Sequence, residues 1–335
     1  MRLLQRSVRV RDYIKLSSGN KRIPQEGAVT MNLPERKRVY QCHHFDSTRW
    51  DYLEHRDDDI VVATSYKAGT TWAQGILANL LFSDGNFPAA PEVMSPWLDL
   101  RLLPLEMVLN GLRAQQHRRF IKTHLPLDGM RYETTVKYLY VTRDGRDVFM
   151  SLWNHYSNLT DDVYIAMNNT PGRLGDEFPQ APEDIHEFWR RWVSESWFDH
   201  EVGGWPYWSH LSNVQSWWDY RHLPNIKLVH YNDLLATPEQ TIREIAHYLE
   251  IDVPESSWPR IVEAVSFREM KARANIYAPA GGEHWKGGAE TFMNKGTNGR
   301  WREVLSETEL AQYDSACTRA LTPDCAQWLA TGGPV

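Results

Sequence analysis

Three side chains suited to anionic chemistry stand at matching places in this 335-residue chain. Lys67 follows an apolar run at residues 59–64, His124 follows a run ending at 122–123, and Arg143 follows the run at 136–142. A fourth run, 226–231, ends on Tyr231. Short, continuously apolar runs of this kind read as buried parallel strands. In an open α/β sheet, ligands bind just beyond the carboxyl ends of the strands. Two cations, a candidate general base and an aromatic ring would therefore meet in one cleft. The loop after the first run, Ser65-Tyr66-Lys67-Ala68-Gly69-Thr70-Thr71-Trp72, leads into a helix predicted over 71–81. A helix N-terminus offers unpaired N–H groups and the positive end of its dipole to an anion. Gly69 lets the backbone approach a phosphate closely, and Thr70 and Thr71 add hydroxyl donors. A cleft so equipped suits a phosphorylated nucleotide.

Taken singly, each residue has a plainer explanation: a strand–loop–helix turn with a solvated lysine, a structural histidine, an arginine paired with Asp144 or Asp147. A nucleoside triphosphate loop is a further reading, and the spelling opposes it. That motif sets its lysine directly after the second glycine and a hydroxyl residue next, whereas Lys67 precedes Gly69 by two positions.

The elements that must position these groups follow from periodicity and punctuation. Residues 86–104 form a proline-rich loop with an apolar tip at Trp97, Leu98 and Leu100. A helix is predicted over 148–156, with Ser151 eight residues after Arg143. Residues 158–182 read as an irregular covering loop, and 181–220 as helical with a break at Gly203-Gly204-Trp205-Pro206. Thr237-Pro238 opens a helix to about 249. Residues 256–271 are helical, 280–299 a glycine-rich loop, and 306–321 a final helix. The fold class is α/β: a doubly wound parallel sheet with helices on both faces, in a single domain at 41–330. Residues 158–218 form a long covering region. Residues 1–40 make a basic arm and lead-in. Seven Lys or Arg stand against one acid, Asp12, within residues 1–22, without the apolar core of a secretory signal.

Composition narrows the class. A net charge of −6 gives no global basic footprint for nucleic acid. No apolar run approaches the length of a membrane span, so no membrane partner is expected. Cys42, Cys317 and Cys325 make neither a disulfide framework nor a clustered metal site, which favours a reducing, cytoplasmic setting. The fifteen tryptophans cluster between Trp189 and Trp218 and read first as core.

Taken together, the motifs resemble the cytosolic sulfotransferase family. Ser65–Trp72 resembles its 5′-phosphosulfate loop, Lys122-Thr123-His124-Leu125-Pro126 its segment with the catalytic histidine, and Tyr140–Ser151 its 3′-phosphate segment. Phe292-Met293-Asn294-Lys295-Gly296, continuing to Gly299 and Trp301, resembles its late nucleotide loop. The resemblance implies a P-loop-like fold and sulfuryl transfer from 3′-phosphoadenosine 5′-phosphosulfate (PAPS), leaving PAP, to a small phenolic or alcohol acceptor, or an amine, with no metal. Sulfuryl transfer is akin to loose in-line phosphoryl transfer, in which positioning and charge stabilisation do most of the catalysis. By resemblance His124 is the general base, and Lys67 and Lys122 stabilise the transition state. Lys67, Ala68, Gly69, Thr70 and Thr71 hold the 5′-phosphate; Arg143 and Ser151 hold the 3′-phosphate. Trp72 and Phe267 flank the adenine, with Tyr231, Ser266 and Met270 nearby and Phe292–Gly296 closing over it. Trp97, Leu100, His155 and Tyr156 line the acceptor pocket.

Four departures from the family pattern matter. Asn294 stands where the family has Arg, Arg300 where it has Asp, Val265 where it often has a hydroxyl residue, and Tyr66 where Pro is usual. A 3′-phosphate contact is lost or supplied from Lys286 or Arg300, which predicts weakened PAPS binding. The family's dimerisation signature is not recognisable in 302–310, leaving monomer and homodimer both open. The rival functions are a small-molecule P-loop kinase, a nucleotide-binding homologue without catalysis, and sulfation as a step toward elimination of water.

Overall fold

A computed structural model describes residues 32–335; the basic stretch at 1–22 lies outside them. Four strands form the sheet: β1 (Ile60–Thr64), β2 (Phe120–Thr123), β3 (Lys137–Thr142) and β4 (Ile226–His230). All neighbours are parallel, in the order β2-β1-β3-β4. The chain leaves β1 to one side for β2 and returns to the other for β3 and β4. A crevice opens where such an order reverses, which puts the ends of β1 and β3 at its centre.

The helices used below are α1 (Thr70–Leu81), α2 (Leu105–Ala114), α3 (Gly145–Ser157), α4 (Asp161–Asn169), α5 (Ile185–Ser194), α6 (His210–Trp218), α7 (Pro238–Tyr248) and α8 (Glu307–Ala320). Every residue of β1 is buried, as a strand covered on both faces requires. On one face Ile60, Val62, Leu139 and Val229 pack with Ile76 and Leu77 of α1 and Ile242 and Ile245 of α7. On the other, Tyr140 stacks on Trp217 of α6, with ring centroids 5.1 Å apart at 15°. The Tyr140 hydroxyl donates to Asn213 Oδ1 at 2.8 Å. The amino ends of β1 and β2 are fixed by a buried, bidentate ion pair from Arg119 to Asp59, at 2.7 and 2.5 Å.

Three expectations need correction. Residues 158–182 are not irregular throughout, because α4 occupies 161–169 and buries Val163, Tyr164 and Met167. The region at 158–218 is not wholly a cover, because α6 packs directly on the sheet. The fourth strand stops at His230, and Tyr231 opens a short helix, Tyr231–Ala236. A further helix, Pro323–Thr331, follows α8. Among the described residues no helix is long and apolar enough to cross a membrane. The three cysteines are free, Cys42 and Cys325 buried.

Candidate active site

A cleft of about 1330 Å³ opens at the carboxyl edge of the sheet, and Lys67, Lys122, His124 and Arg143 all line it. The first loop is shaped by two left-handed residues, Lys67 (φ 59°) and Gly69 (φ 119°). A Cβ on Gly69 would lie 3.3 Å from the Tyr231 ring, so both its conformation and its space favour glycine. Thr70 then begins α1, its hydroxyl 2.6 Å from that of Thr64. The Lys67 ammonium lies 3.3 Å from His155 Nδ1 and 4.3 Å from the centre of the Phe292 ring. Burial, and then the charges of Lys122 and Arg143, push Lys67 down to about 7.

His124 is 4% exposed and held on every side. Its Nδ1 lies 2.9 Å from the Thr64 carbonyl. A carbonyl only accepts, so Nδ1 carries the proton and Nε2 presents a lone pair. Its own carbonyl receives Trp208 Nε1–H and Asn213 Nδ2–H, each at 2.9 Å, and Trp217 Nε1 reaches Leu125 O at 3.1 Å. Part of the tryptophan cluster thus fixes the backbone that carries His124. Tyr66 stacks on the imidazole at 4.6 Å and 18°, and Trp97 meets it edge-on at 4.8 Å and 89°. Burial and the nearby Lys122 ammonium hold His124 well below its ordinary range, so it stays neutral. The Trp97 loop is set by Lys122 N–H donating to Pro96 O at 3.1 Å. It is anchored by Thr123 Oγ1 and Trp50 Nε1 on Asp99 Oδ2 at 2.5 and 2.8 Å. Lys122 Nζ sits 4.4 Å over the Trp97 ring, pushed down to about 8 by burial, against the pull of Glu92 and Asp99.

At the far end, Trp72 meets Tyr231 edge-on at 5.0 Å, and Ser151, Ser266, Phe267 and Met270 complete the wall. Arg143 is not paired with Asp144, which Arg146 engages at 2.5 Å. Its Nε instead donates to Asn298 Oδ1 at 2.7 Å and its Nη2 to Thr297 O at 2.9 Å, joining β3 to the late loop. From outside the loop, Lys271 Nζ donates to Asn294 O at 2.5 Å. Gly296 lies under Phe267, where any Cβ would fall 2.3 Å from the ring. Arg300 lines the cleft and Lys286 does not. Arg300 Nε is buried with no hydrogen-bond partner. Burial and then Arg143 lower its basicity.

The fold brings all the expected residues to this cleft except two. Ala68 is fully buried behind the loop. Tyr156 is also fully buried; its hydroxyl donates to Pro179 O and its ring packs on Phe178 and Phe188. It is therefore core rather than pocket wall. His155 does line the cleft, and its Nδ1 faces Lys67. Three contributors went unread in the sequence. His210 of α6 bridges Ser65 Oγ (2.5 Å) and the Arg143 carbonyl (3.0 Å), tying the ends of β1 and β3. His44 and Tyr207 join the wall beside Tyr66. The consecutive Cys42-His43-His44 was the available signal for His44. Leu103, Met107 and Val108, at and just before α2, and Val163, Ala166 and Met167 of α4 also line the cleft.

These features agree with the comparisons to known proteins. Residues 57–325 match the sulfotransferase domain. A glycolipid sulfotransferase of Mycobacterium bovis is 31% identical over 88% of this chain and 94% of its own length. Sulfotransferase 1A1 of Rattus norvegicus is 26% identical over 80% and 86% respectively. The fold matches the crystal structure of mouse sulfotransferase SULT7A1 complexed with PAP, at TM-score 0.62 and 21% identity, over 84% of this chain and 91% of that one. The chain belongs to the sulfotransferase-domain family and is a sulfotransferase enzyme.

Proposed function

We propose that this enzyme moves the sulfuryl group of PAPS onto a hydroxyl of an acceptor with an apolar body. The observation that carries the reading is the protonation state forced on His124: with Nδ1–H spent on Thr64 O, Nε2 is left as a neutral acceptor in a cleft shared with Lys67, Lys122 and Arg143. In this reading Nε2 takes the acceptor's proton as the acceptor oxygen bonds to sulfur. The bond from sulfur to the 5′-phosphate oxygen breaks, and its electron pair stays on PAP. Lys67 meets that developing charge, and Lys122 the sulfuryl oxygens. The N–H groups at Gly69, Thr70 and Thr71 take the 5′-phosphate; Arg143 and Ser151 take the 3′-phosphate. Trp72 and Phe267 flank the base. The unpartnered, buried Arg300 Nε fits such an anionic ligand. The apolar lining contributed by α2 and α4 fits an acceptor with a hydrocarbon portion, such as a long-chain alcohol or alkylphenol, and the mycobacterial relative is named for a glycolipid. Free, buried thiols suit a cytoplasmic location.

The test is label transfer from PAPS, marked on sulfur, to a panel of long-chain alcohols, alkylphenols, steroids and amines. Sulfated product supports the reading. Magnesium-dependent turnover of ATP with none of PAPS would replace it with the kinase.

Three substitutions probe the nucleotide end by PAP titration. Gly296→Ala drives a methyl into the Phe267 ring, so affinity should fall at least ~10-fold, the cost of losing one stacked base being ~1–3 kcal/mol; an unchanged Kd would remove Phe267 from the site. Arg300→Ala should weaken PAP ~10–100-fold, since a hydrogen bond to a charged group contributes about 1.5–3 kcal/mol. Asn294→Arg should tighten it by restoring a second cation. Unchanged or weaker binding in Asn294→Arg would show that position 294 does not limit affinity.

A further inference from the structure

Beside His124 lies a hydrogen-bonded chain that the proposed reaction does not use. His43 and His44, both fully buried, join Nδ1 to Nδ1. Their ring centroids are 4.5 Å apart at 25°, so the rings meet edge to edge with the two nitrogens between them. His43 Nε2 lies 2.9 Å from the Pro206 carbonyl, and His44 Nε2 lies 2.6 Å from the Tyr66 hydroxyl. The direction of the whole chain follows from one fact. Pro206 O only accepts, so His43 carries its proton on Nε2. Burial pushes His43 down to about 3, which leaves it no second proton, so its Nδ1 must accept. His44 therefore donates from Nδ1 and accepts at Nε2, and Tyr66 must donate its hydroxyl proton inward to His44. What Tyr66 has left is a lone pair, and Tyr66 lines the cleft.

The Tyr66 and His124 rings stack at 4.6 Å and both line the cleft, so His124 Nε2 and Tyr66 Oη are two acceptors of fixed polarity on adjoining side chains. A monohydroxyl acceptor fills only the first. We propose that the acceptor is a vicinal diol, whose reacting hydroxyl meets His124 and whose neighbouring hydroxyl donates to Tyr66. The inference rests on the sulfuryl-transfer reading above and adds the substrate class. It also gives a purpose to a tyrosine where the family usually has proline. Cys42 Sγ and the two imidazole nitrogens lie within 4.8 Å of one another, which makes a bound metal the competing explanation. The edge-to-edge contact, with a nitrogen of each ring pointing at the other, suits a shared proton better than two lone pairs converging on an ion.

The experiment compares kcat/KM for matched acceptors with PAPS: dodecane-1,2-diol against 2-methoxydodecan-1-ol, and 4-octylcatechol against 2-methoxy-4-octylphenol. The ethers keep the chain and both oxygens, add one methyl group and remove the second donor. Burying an acceptor atom without its partner is costly, so the wild type should favour the diol by about tenfold or more in at least one pair. The pair showing it tells an aliphatic diol from an aromatic one. Tyr66→Phe should bring that ratio to within about twofold. Transfer to diol and ether at equal rates in both pairs overturns the inference and leaves sulfuryl transfer standing. Sulfated product from the wider panel above but from none of these four also overturns the inference and leaves sulfuryl transfer standing. Stoichiometric zinc in the purified protein, lost in His43→Ala, would assign the histidines to a metal and end the argument from Tyr66.

Discussion

Replacing His124 by alanine should lower kcat for sulfuryl transfer ~10²–10⁴-fold, the usual contribution of a positioned general base, and leave PAP affinity within about twofold. The expected split between kcat and binding follows from where the side chain stands. His124 faces the acceptor end of the cleft between the Tyr66 face and the Trp97 edge. The nucleotide contacts proposed above come from the first loop, Arg143 and the late loop. The backbone at 124 should survive the change, because Trp208, Asn213 and Trp217 grip carbonyls rather than the imidazole. The pH profile supplies a second readout. Burial and Lys122 keep His124 neutral well below its ordinary range, and only the neutral form can take a proton. Activity should therefore persist as pH falls through 6.5, the unperturbed histidine value, where an exposed histidine base would already be failing. A kcat unchanged in His124→Ala, or an acid limb at the unperturbed value in the wild type, would mean that another group takes the proton.

Much of this site was readable because its residues sit at the carboxyl ends of parallel strands, where position in the chain and position in space coincide. Lys67, His124 and Arg143 needed only the strand assignments to be brought together. Helical spacing would also have sorted one pair correctly. Ser151 and His155 are four apart and share a face of α3, and both line the cleft. Tyr156 shares its face with Phe149 and Leu152, which are buried, so it turns into the core. α4 escaped notice because Gly and Pro downstream dominate the window, while only Val163, Tyr164 and Met167 mark its buried side. The relay behind Tyr66 was out of reach. His44 is 22 residues from Tyr66, and Pro206 is 163 from His43, and no local pattern announces a contact of that span. The polarity of Tyr66 depends on the tautomers of two buried imidazoles, which composition and periodicity do not encode.

Lys67→Met should reduce kcat ~10²–10³-fold, as expected when one donor to developing transition-state charge is removed, and should also weaken PAP. The sharper consequence concerns protons. Burial, and then the charges of Lys122 and Arg143, lower Lys67 to about 7 in the empty cleft, so near neutrality it carries its proton only about half the time. An anionic ligand favours the charged form and raises that value. Below pH 7 the ammonium is already present, and binding needs no proton from it. Above pH 7 each binding event must first protonate Lys67. The apparent Kd of PAP should then rise with pH by up to tenfold per unit until the value in the complex is reached. Lys122, lowered to about 8 by burial, adds a second, later limb. Calorimetric titration of PAP at pH 8 in two buffers of different ionisation enthalpy counts the protons taken up. The wild type should take up about one proton or more, ~0.9 at Lys67 and up to ~0.5 at Lys122, and Lys67→Met no more than the Lys122 share. No uptake in the wild type would mean that Lys67 is fully charged before the nucleotide arrives. His155, held neutral well below its ordinary range by burial and by the Lys67 charge, then remains as the acceptor that aims this ammonium into the cleft.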